Sequence, residues 1–169
     1  SGLYEEYFAD LKKMGVPFLP YETYGRSPLE NSSFLVSSAN FNEKIHGKGF
    51  VARLSGSTAE FLQMWELMMN GEKLFIMQDG TLTFKLAPAI PAYLVKDDGK
   101  VETTLFGKIK VVYDCGSKRD LIPGQYAVTK YELVAADGSI ESCEAATVSG
   151  EAAQRIRDGK VAEIRVTIQ

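Results

Sequence analysis

Residues 74–86 read LFIMQDGTLTFKL, and this stretch decides the fold. Asp79-Gly80 separates two short runs rich in branched and aromatic residues, Leu74 to Met77 and Leu82 to Leu86. An Asp-Gly pair favours a two-residue turn whose central residues both take positive φ, because that turn matches the twist of paired antiparallel strands. The stretch therefore predicts a β-hairpin.

Short apolar runs continue from this hairpin toward the carboxyl end, at a spacing of about ten residues. Further strands are predicted at Tyr93–Val95, Val101–Leu105, Ile109–Tyr113, Tyr126–Val134, Ser139–Cys143 and Val161–Ile168. A short helix is predicted from Ser149 to Arg157, ending at Gly159. This pattern predicts a mainly β domain over residues 72–169, an antiparallel β-sandwich of jelly-roll type.

Residues 1–71, before the hairpin, carry helical patterns. Apolar residues recur at helical spacing from Leu3 to Met14. A second helix is predicted from about Thr58 to Met69, with Ser57 and Glu60 as a capping box. Between the helices, residues 16–53 show no clear periodicity, which indicates a functional loop or a surface that another part of a longer protein covers.

Composition bounds the function. The chain has 169 residues, 45% of them hydrophobic, with a net charge of −3, which excludes intrinsic disorder. The basic residues are dispersed and the chain is acidic overall, so nucleic acid is not expected as a partner. No apolar run is long enough to form a membrane-spanning helix. The two cysteines, Cys115 and Cys143, are expected either to be buried free thiols or to form one disulfide bridge, because two are too few for a disulfide framework. With a single histidine, His46, neither a metal site nor a histidine triad is expected, and no cofactor is expected.

The sequence Ser55-Gly56-Ser57 is the best candidate site. It opens the second predicted helix, where unpaired backbone N–H groups and the positive end of the helix dipole meet. Glycine lets an anion approach the backbone closely, and Arg53 adds positive charge, so a phosphate or sulfate site is one interpretation. An ordinary capping loop is the other.

Other candidates are weaker. His46 lies in a Gly-containing loop, where it either supports the backbone or contacts substrate and transfers a proton. Three carboxylates of residues 16–53, Glu22, Glu30 and Glu43, show no spacing that singles out an acid-base pair. The strand aromatics are expected at core or edge positions rather than on a ligand face: Tyr93, Phe106, Tyr113, Tyr126 and Tyr131.

Leu54-Ser55-Gly56-Ser57-Thr58-Ala59 resembles the Leu-Thr-Gly-Thr-Ala/Ser-Ala-Trp segment of the cellobiose phosphorylase family, glycoside hydrolase family 94, formerly glycosyltransferase family 36. The stretch from Tyr24 to Phe34 is similar to the sequence that leads into that segment. In this family the segment starts the last helix of an (α/α)6 barrel, and a small β-sandwich follows. The resemblance implies that residues 1–71 are the terminal helices and loop of such a barrel and that residues 72–169 are the sandwich.

The resemblance also implies a function. The chain would be the C-terminal part of a cytoplasmic glycoside phosphorylase-like enzyme, with Ser55 and Gly56 holding the inorganic phosphate that is a substrate. The family's general-acid aspartate and its phosphate-binding arginine and histidine lie upstream, so no catalytic residue is assigned here and the isolated chain is expected to be inactive. Its partners would be the rest of the barrel, carbohydrate and a second copy of the chain in a homodimer.

Two other hypotheses stay open. One is a non-catalytic β-sandwich module that binds a glycan or a protein, which predicts aromatic residues on an exposed strand face. The other is a structural accessory domain, which predicts no ligand and large exposed apolar patches on the helices.

Overall fold

A computed structural model of the chain describes residues 2–15, 19–25, 32–52 and 55–169. The chain separates into two units, Ser1–Trp65 and Glu66–Gln169. The division falls inside a helix, six residues before the boundary at Gly71 that the sequence pattern places.

In the first unit, helix α1 spans Tyr4–Met14, as the apolar spacing predicts. Phe8 and Leu11, one turn apart, are its buried residues. Glu5 and Glu6 lie in its first turn and Lys12 and Lys13 in its last, which suits the helix dipole at both ends.

The middle of the first unit is more regular than its sequence predicts. A one-turn helix α2 (Tyr21–Tyr24) is followed by strand β1 (Ser32–Leu35), a 3-10 turn (Glu43–Ile45) and strand β2 (Gly49–Ala52). Strands β1 and β2 pair as an irregular antiparallel hairpin with two register shifts. Such bulged, four-residue strands are too short to give a clear alternation, so periodicity misses them.

Helix α3 spans Ser55–Asn70. It begins three residues before Thr58, so Ser57 lies inside its first turn and does not cap it as predicted. Its end agrees with the predicted end near Met69, and Gly71, with a φ of 96°, turns the backbone away from the helix there.

The hairpin predicted at Asp79-Gly80 is confirmed. Strand β3 (Phe75–Gln78) pairs with strand β4 (Thr81–Phe84), and both turn residues have positive φ, 50° for Asp79 and 78° for Gly80. Strand β9 (Val148–Ser149) adds to the other edge of β4 and completes a three-stranded sheet in the order β3-β4-β9.

A five-stranded sheet makes up most of the second unit. Its strands are β5 (Lys100–Leu105), β6 (Ile109–Asp114), β7 (Val128–Val134), β8 (Ile140–Cys143) and β10 (Glu163–Ile168), in the order β5-β6-β10-β7-β8. Helix α4 (Gly150–Arg157) precedes β10. The fold is thus mainly β, with antiparallel and mixed sheets and few helices in the described residues.

Two predictions about the strands need correction. The sheet is not purely antiparallel, because β10 runs parallel to β6 while it pairs antiparallel with β7. A period-2 pattern fixes which face of a strand is buried but not its direction, so the sequence could not show this. Residues 93–95 are also not a strand: Ala92–Leu94 form a 3-10 turn, whose Ala92 N–H donates to Asp120 at 2.6 Å.

The core lies on one face of the five-stranded sheet. Alternate residues of its central strands are almost fully buried, and Tyr113 on β6, Tyr131 on β7 and Ile164 on β10 have no exposed surface. Helix α4 contributes Ala153 and Ile156 to buried positions. This alternation is the pattern from which the sequence predicts the strands.

The second unit also closes the carboxyl end of α3. The last four carbonyls of a helix lack intrahelical donors. In α3 each of these carbonyls has a donor. The carbonyl of Leu67 accepts from the N–H of Gly71 at 2.9 Å, and that of Met68 accepts from the N–H of Ala89 at 2.8 Å. The carbonyl of Met69 accepts from the hydroxyl of Tyr113 at 2.7 Å, and that of Asn70 accepts from the N–H of Ala87 at 3.0 Å.

Candidate functional site

The candidate anion site lies where β2 leads into α3. Strand β2 ends at Ala52 and α3 begins at Ser55, so Ser55, Gly56 and Ser57 form the first turn of the helix. The N–H groups of a first helical turn have no acceptor within the helix. Ser55, Gly56 and Ser57 therefore place three consecutive backbone N–H groups at the start of the helix; the side chains of these residues, and Arg53 as a whole, lie outside the described residues.

The charge around this turn favours an anion. The first turn of α3 contains no acidic residue, whereas α1 has Glu5 and Glu6 and α4 has Glu151 in the same position. In α1 and α4 a carboxylate already compensates the positive end of the dipole, and α3 has no such group of its own. An external phosphate or sulfate could supply that negative charge.

His46 supports the backbone of its own loop. It ends the Glu43–Ile45 turn, is half-buried, and its Nε2 lies 2.7 Å from the carbonyl oxygen of Asn40, a spacing at which Nε2–H donates. The N–H of Gly47 donates to Val36 at 2.9 Å in the same loop. This geometry matches the backbone role, and one ring nitrogen is already engaged.

The carboxylates considered for acid-base work are not assembled by the described contacts. Glu22 lies on α2 and Glu43 on the 3-10 turn, and both are exposed. Glu30 lies outside the described residues. Nothing described therefore argues for a carboxylate pair.

The aromatic residues of the predicted strands contribute more to the core than to the exposed surface. Tyr113 and Tyr131 are fully buried, and burial raises the pKa of Tyr131 to about 12 and that of Tyr113 well above its ordinary value. Tyr126 is half-buried and donates to the carbonyl of Pro88 at 2.7 Å. Only Tyr93 and Phe106 of the five are exposed, and Phe106 stacks on Phe75. Core and edge positions are predicted for these aromatic residues, and both kinds of position are found.

The other face of the five-stranded sheet carries a row of charges that sequence reasoning missed. Seven ion pairs within 4.0 Å join eight side chains of alternating sign, six of which lie on strands β5, β6, β10 and β7. This charge ladder runs Lys96, Glu102, Lys110, Glu163, Arg165, Glu132, Lys130 and Glu144. Because the pairs Lys110–Glu163 and Arg165–Glu132 join residues far apart in sequence, only the strand order could reveal the whole row.

The charge ladder bears on the glycan-module hypothesis, which needs aromatic side chains on an exposed strand face. All eight members are charged, and the aromatic residues of the central strands, Tyr113 and Tyr131, lie on the buried face. The outward face of these strands therefore presents charged rather than aromatic side chains.

The two cysteines do not form a disulfide bridge. Both are free; burial raises the pKa of Cys115 to about 11, and Cys143 is half-buried with its Sγ 3.5 Å from the carbonyl of Thr147. In the described part of the chain, no three His, Cys, Asp or Glu residues group as a metal site. None of the helices described there has the length and apolar character needed to cross a bilayer.

Comparison with known proteins found no similar protein. No protein-family model, curated protein or solved structure matches the chain.

Proposed function

We propose that the chain is the C-terminal part of a carbohydrate-active, glycoside phosphorylase-like enzyme, and that the first turn of α3 holds its inorganic phosphate. The observation that carries the proposal is the run of Ser55, Gly56 and Ser57 as a helical first turn without an acidic residue. The resemblance of this same segment to the cellobiose phosphorylase family supplies the substrate class.

The order of the helices and sheets along the chain supports this proposal. Helices α1 and α3 would be terminal helices of an (α/α)6 barrel, and the sheets of the second unit would form the jelly-roll-like β-sandwich that follows it. The partners in this cytoplasmic enzyme would be the rest of the barrel, a β-linked carbohydrate and a second copy of the chain.

The reaction would be phosphorolysis. A phosphate oxygen bonds to the anomeric carbon, the glycosidic C–O bond breaks, and an acid elsewhere in the enzyme protonates the departing sugar oxygen. The N–H groups of Ser55 and Gly56 and the Ser55 hydroxyl would position the phosphate and offset its charge. The isolated chain lacks the acid, so binding rather than turnover is the measurable property.

The test is an NMR titration of the ¹⁵N-labelled chain with inorganic phosphate and, separately, sulfate. We expect saturable shifts at Ser55, Gly56 and Ser57. Ser55→Pro should abolish them, because proline removes an N–H at a helix position that tolerates proline. Ser55→Ala, the matched control, keeps that N–H and should only weaken binding.

Binding that survives in Ser55→Pro, or the absence of saturable shifts in the unmodified chain, would contradict the proposed phosphate site. Ser57 would then belong to an ordinary helix start, and the accessory-domain hypothesis would be favoured.

A further inference from the structure

A cavity of about 310 Å³ opens in the second unit, between the β7–β8 hairpin and the segment that joins α4 to β10. Its floor is apolar, formed by the buried side chains of Leu133 and Val161. Ile140 lies at the edge of the cavity. The volume is at the lower end of the range for small-molecule sites, which fits a compact ligand.

The rim of the cavity is charged. Arg155 and Lys160 line it together with one carboxylate, Glu141. Glu141 pairs with Leu133 across the strands and therefore faces inward from the edge strand β8, where it forms an ion pair with Arg155. An inward-facing charge on an edge strand protects that edge from pairing with other chains, so this pair has a structural role of its own.

Both cations keep donors for a further acceptor. Arg155 contacts Glu141 through Nη2 and lies 4.0 Å from Glu151 through Nη1, while a guanidinium carries five N–H donors. Lys160 lies 3.2 Å from Asp158 and has three donors. The backbone N–H of Lys160 donates to the Arg155 carbonyl at 2.9 Å, which ties the two cationic residues together.

From this arrangement we propose that the cavity is a binding site for a small organic anion, a compact apolar body bearing one carboxylate or phosphate ester. The anionic group would lie between Arg155 and Lys160, and the apolar body would cover Leu133 and Val161. Such a ligand satisfies the charged rim and the apolar floor at once, which neither an inorganic ion nor an uncharged hydrocarbon does. The proposal does not depend on the phosphate site of α3.

The experiment is an NMR titration of the ¹⁵N-labelled chain with benzoate and with phenyl phosphate, followed at the amides of Ile140, Lys160 and Val161. We expect saturable shifts, and the probe that binds more tightly identifies the preferred anionic group. Lys160→Gln leaves the Arg155–Glu141 pair in place and should weaken binding about tenfold, the loss of one charge-assisted hydrogen bond. Arg157→Gln, the matched control, removes an exposed charge of α4 that does not line the cavity.

A second comparison tests the apolar part. Phenyl phosphate should bind more tightly than inorganic phosphate, because its ring covers the apolar floor of Leu133 and Val161. The proposal is overturned if neither probe gives saturable shifts, or if Arg157→Gln weakens binding as much as Lys160→Gln. Equal affinities for inorganic and phenyl phosphate would also overturn it, since surface cations alone would then explain the shifts.

Discussion

The hydroxyl of Tyr113 donates a 2.7 Å hydrogen bond to the carbonyl oxygen of Met69, so a core tyrosine of β6 supplies a donor that the end of α3 lacks. Both residues are almost fully buried. Water therefore has little access to replace the bond if either partner is removed.

Tyr113→Phe should lower the free energy of unfolding by about 1–3 kcal/mol, because it leaves a buried carbonyl without a donor. Urea unfolding followed by circular dichroism measures this. Tyr126→Phe is the matched comparison, since Tyr126 makes a bond of the same length to Pro88 but is only half-buried. An equal loss in the two variants would show that burial of the Met69 carbonyl does not set the cost.

Alkaline pH should destabilise the second unit in two stages. Burial raises the pKa of Cys115 to about 11 and that of Tyr131 to about 12, from ordinary values of 9.0 and 10.0. In each interval the unfolded chain loses its proton first, so stability is complete below the ordinary value and falls as the pH rises through the folded value. Urea unfolding from pH 8 to 11 should show the decline begin near pH 9.

The control for this prediction is Cys115→Ala, compared with its own stability at pH 8. It should delay the onset of the decline to about pH 10, where tyrosine begins to ionise. A decline that begins at pH 9 in this variant would assign the first stage to another group.

Gly99→Ala should be much more destabilising than Gly138→Ala. Both glycines have positive φ, 76° and 84°, which costs an alanine about 1–2 kcal/mol. At Gly99 the added Cβ would also lie 2.9 Å from backbone atoms of Gly116 and Ser117, whereas at Gly138 it meets nothing within 4 Å. Thermal unfolding of the two variants measures the difference; equal losses would mean that the 115–117 backbone gives way easily.

Reversing one charge of the charge ladder should lower the melting temperature more than reversing an exposed charge elsewhere. Glu132→Lys sets a third cation between Arg165 and Lys130, which both pair with Glu132. Glu72→Lys makes the same change in net charge at an exposed position. The difference between the variants should shrink in high salt, because salt screens exposed charges. A difference that salt does not alter would point to packing rather than charge.

The sequence predicted local structure well and long-range pairing poorly. The Asp79-Gly80 hairpin, α1 and α4 follow from turn residues, caps and apolar spacing, which act within a few residues. The parallel pairing of β10 with β6 joins segments about fifty residues apart, and alternation contains no information on it. The 3-10 turn at Ala92–Leu94 depends on Asp120, a tertiary contact that overrides the β propensity of Tyr93-Leu94-Val95.

The candidate sites show the same limit. A Ser-Gly-Ser run at a helix start is readable from sequence, although the helix begins three residues earlier than the capping box indicates. The cavity beside Arg155 is not readable, because its lining comes from β7, β8, α4 and the segment after α4. The positions of these residues in the sequence do not show that they meet, because their meeting depends on how the strands and the helix are arranged in the fold.

The place of β10 has a consequence for how the second unit comes into being. This strand follows all the other strands of the sheet along the chain, yet it lies at the centre, between the β5–β6 and β7–β8 hairpins. During synthesis the two hairpins can form as each is completed, but they share no edge until residues 163–168 have emerged from the ribosome. Non-local pairing of this kind is slow, so until then both hairpins expose open edges to other chains. The sheet is thus assembled by its final strand, which makes the interval before that strand arrives the period of greatest risk of aggregation.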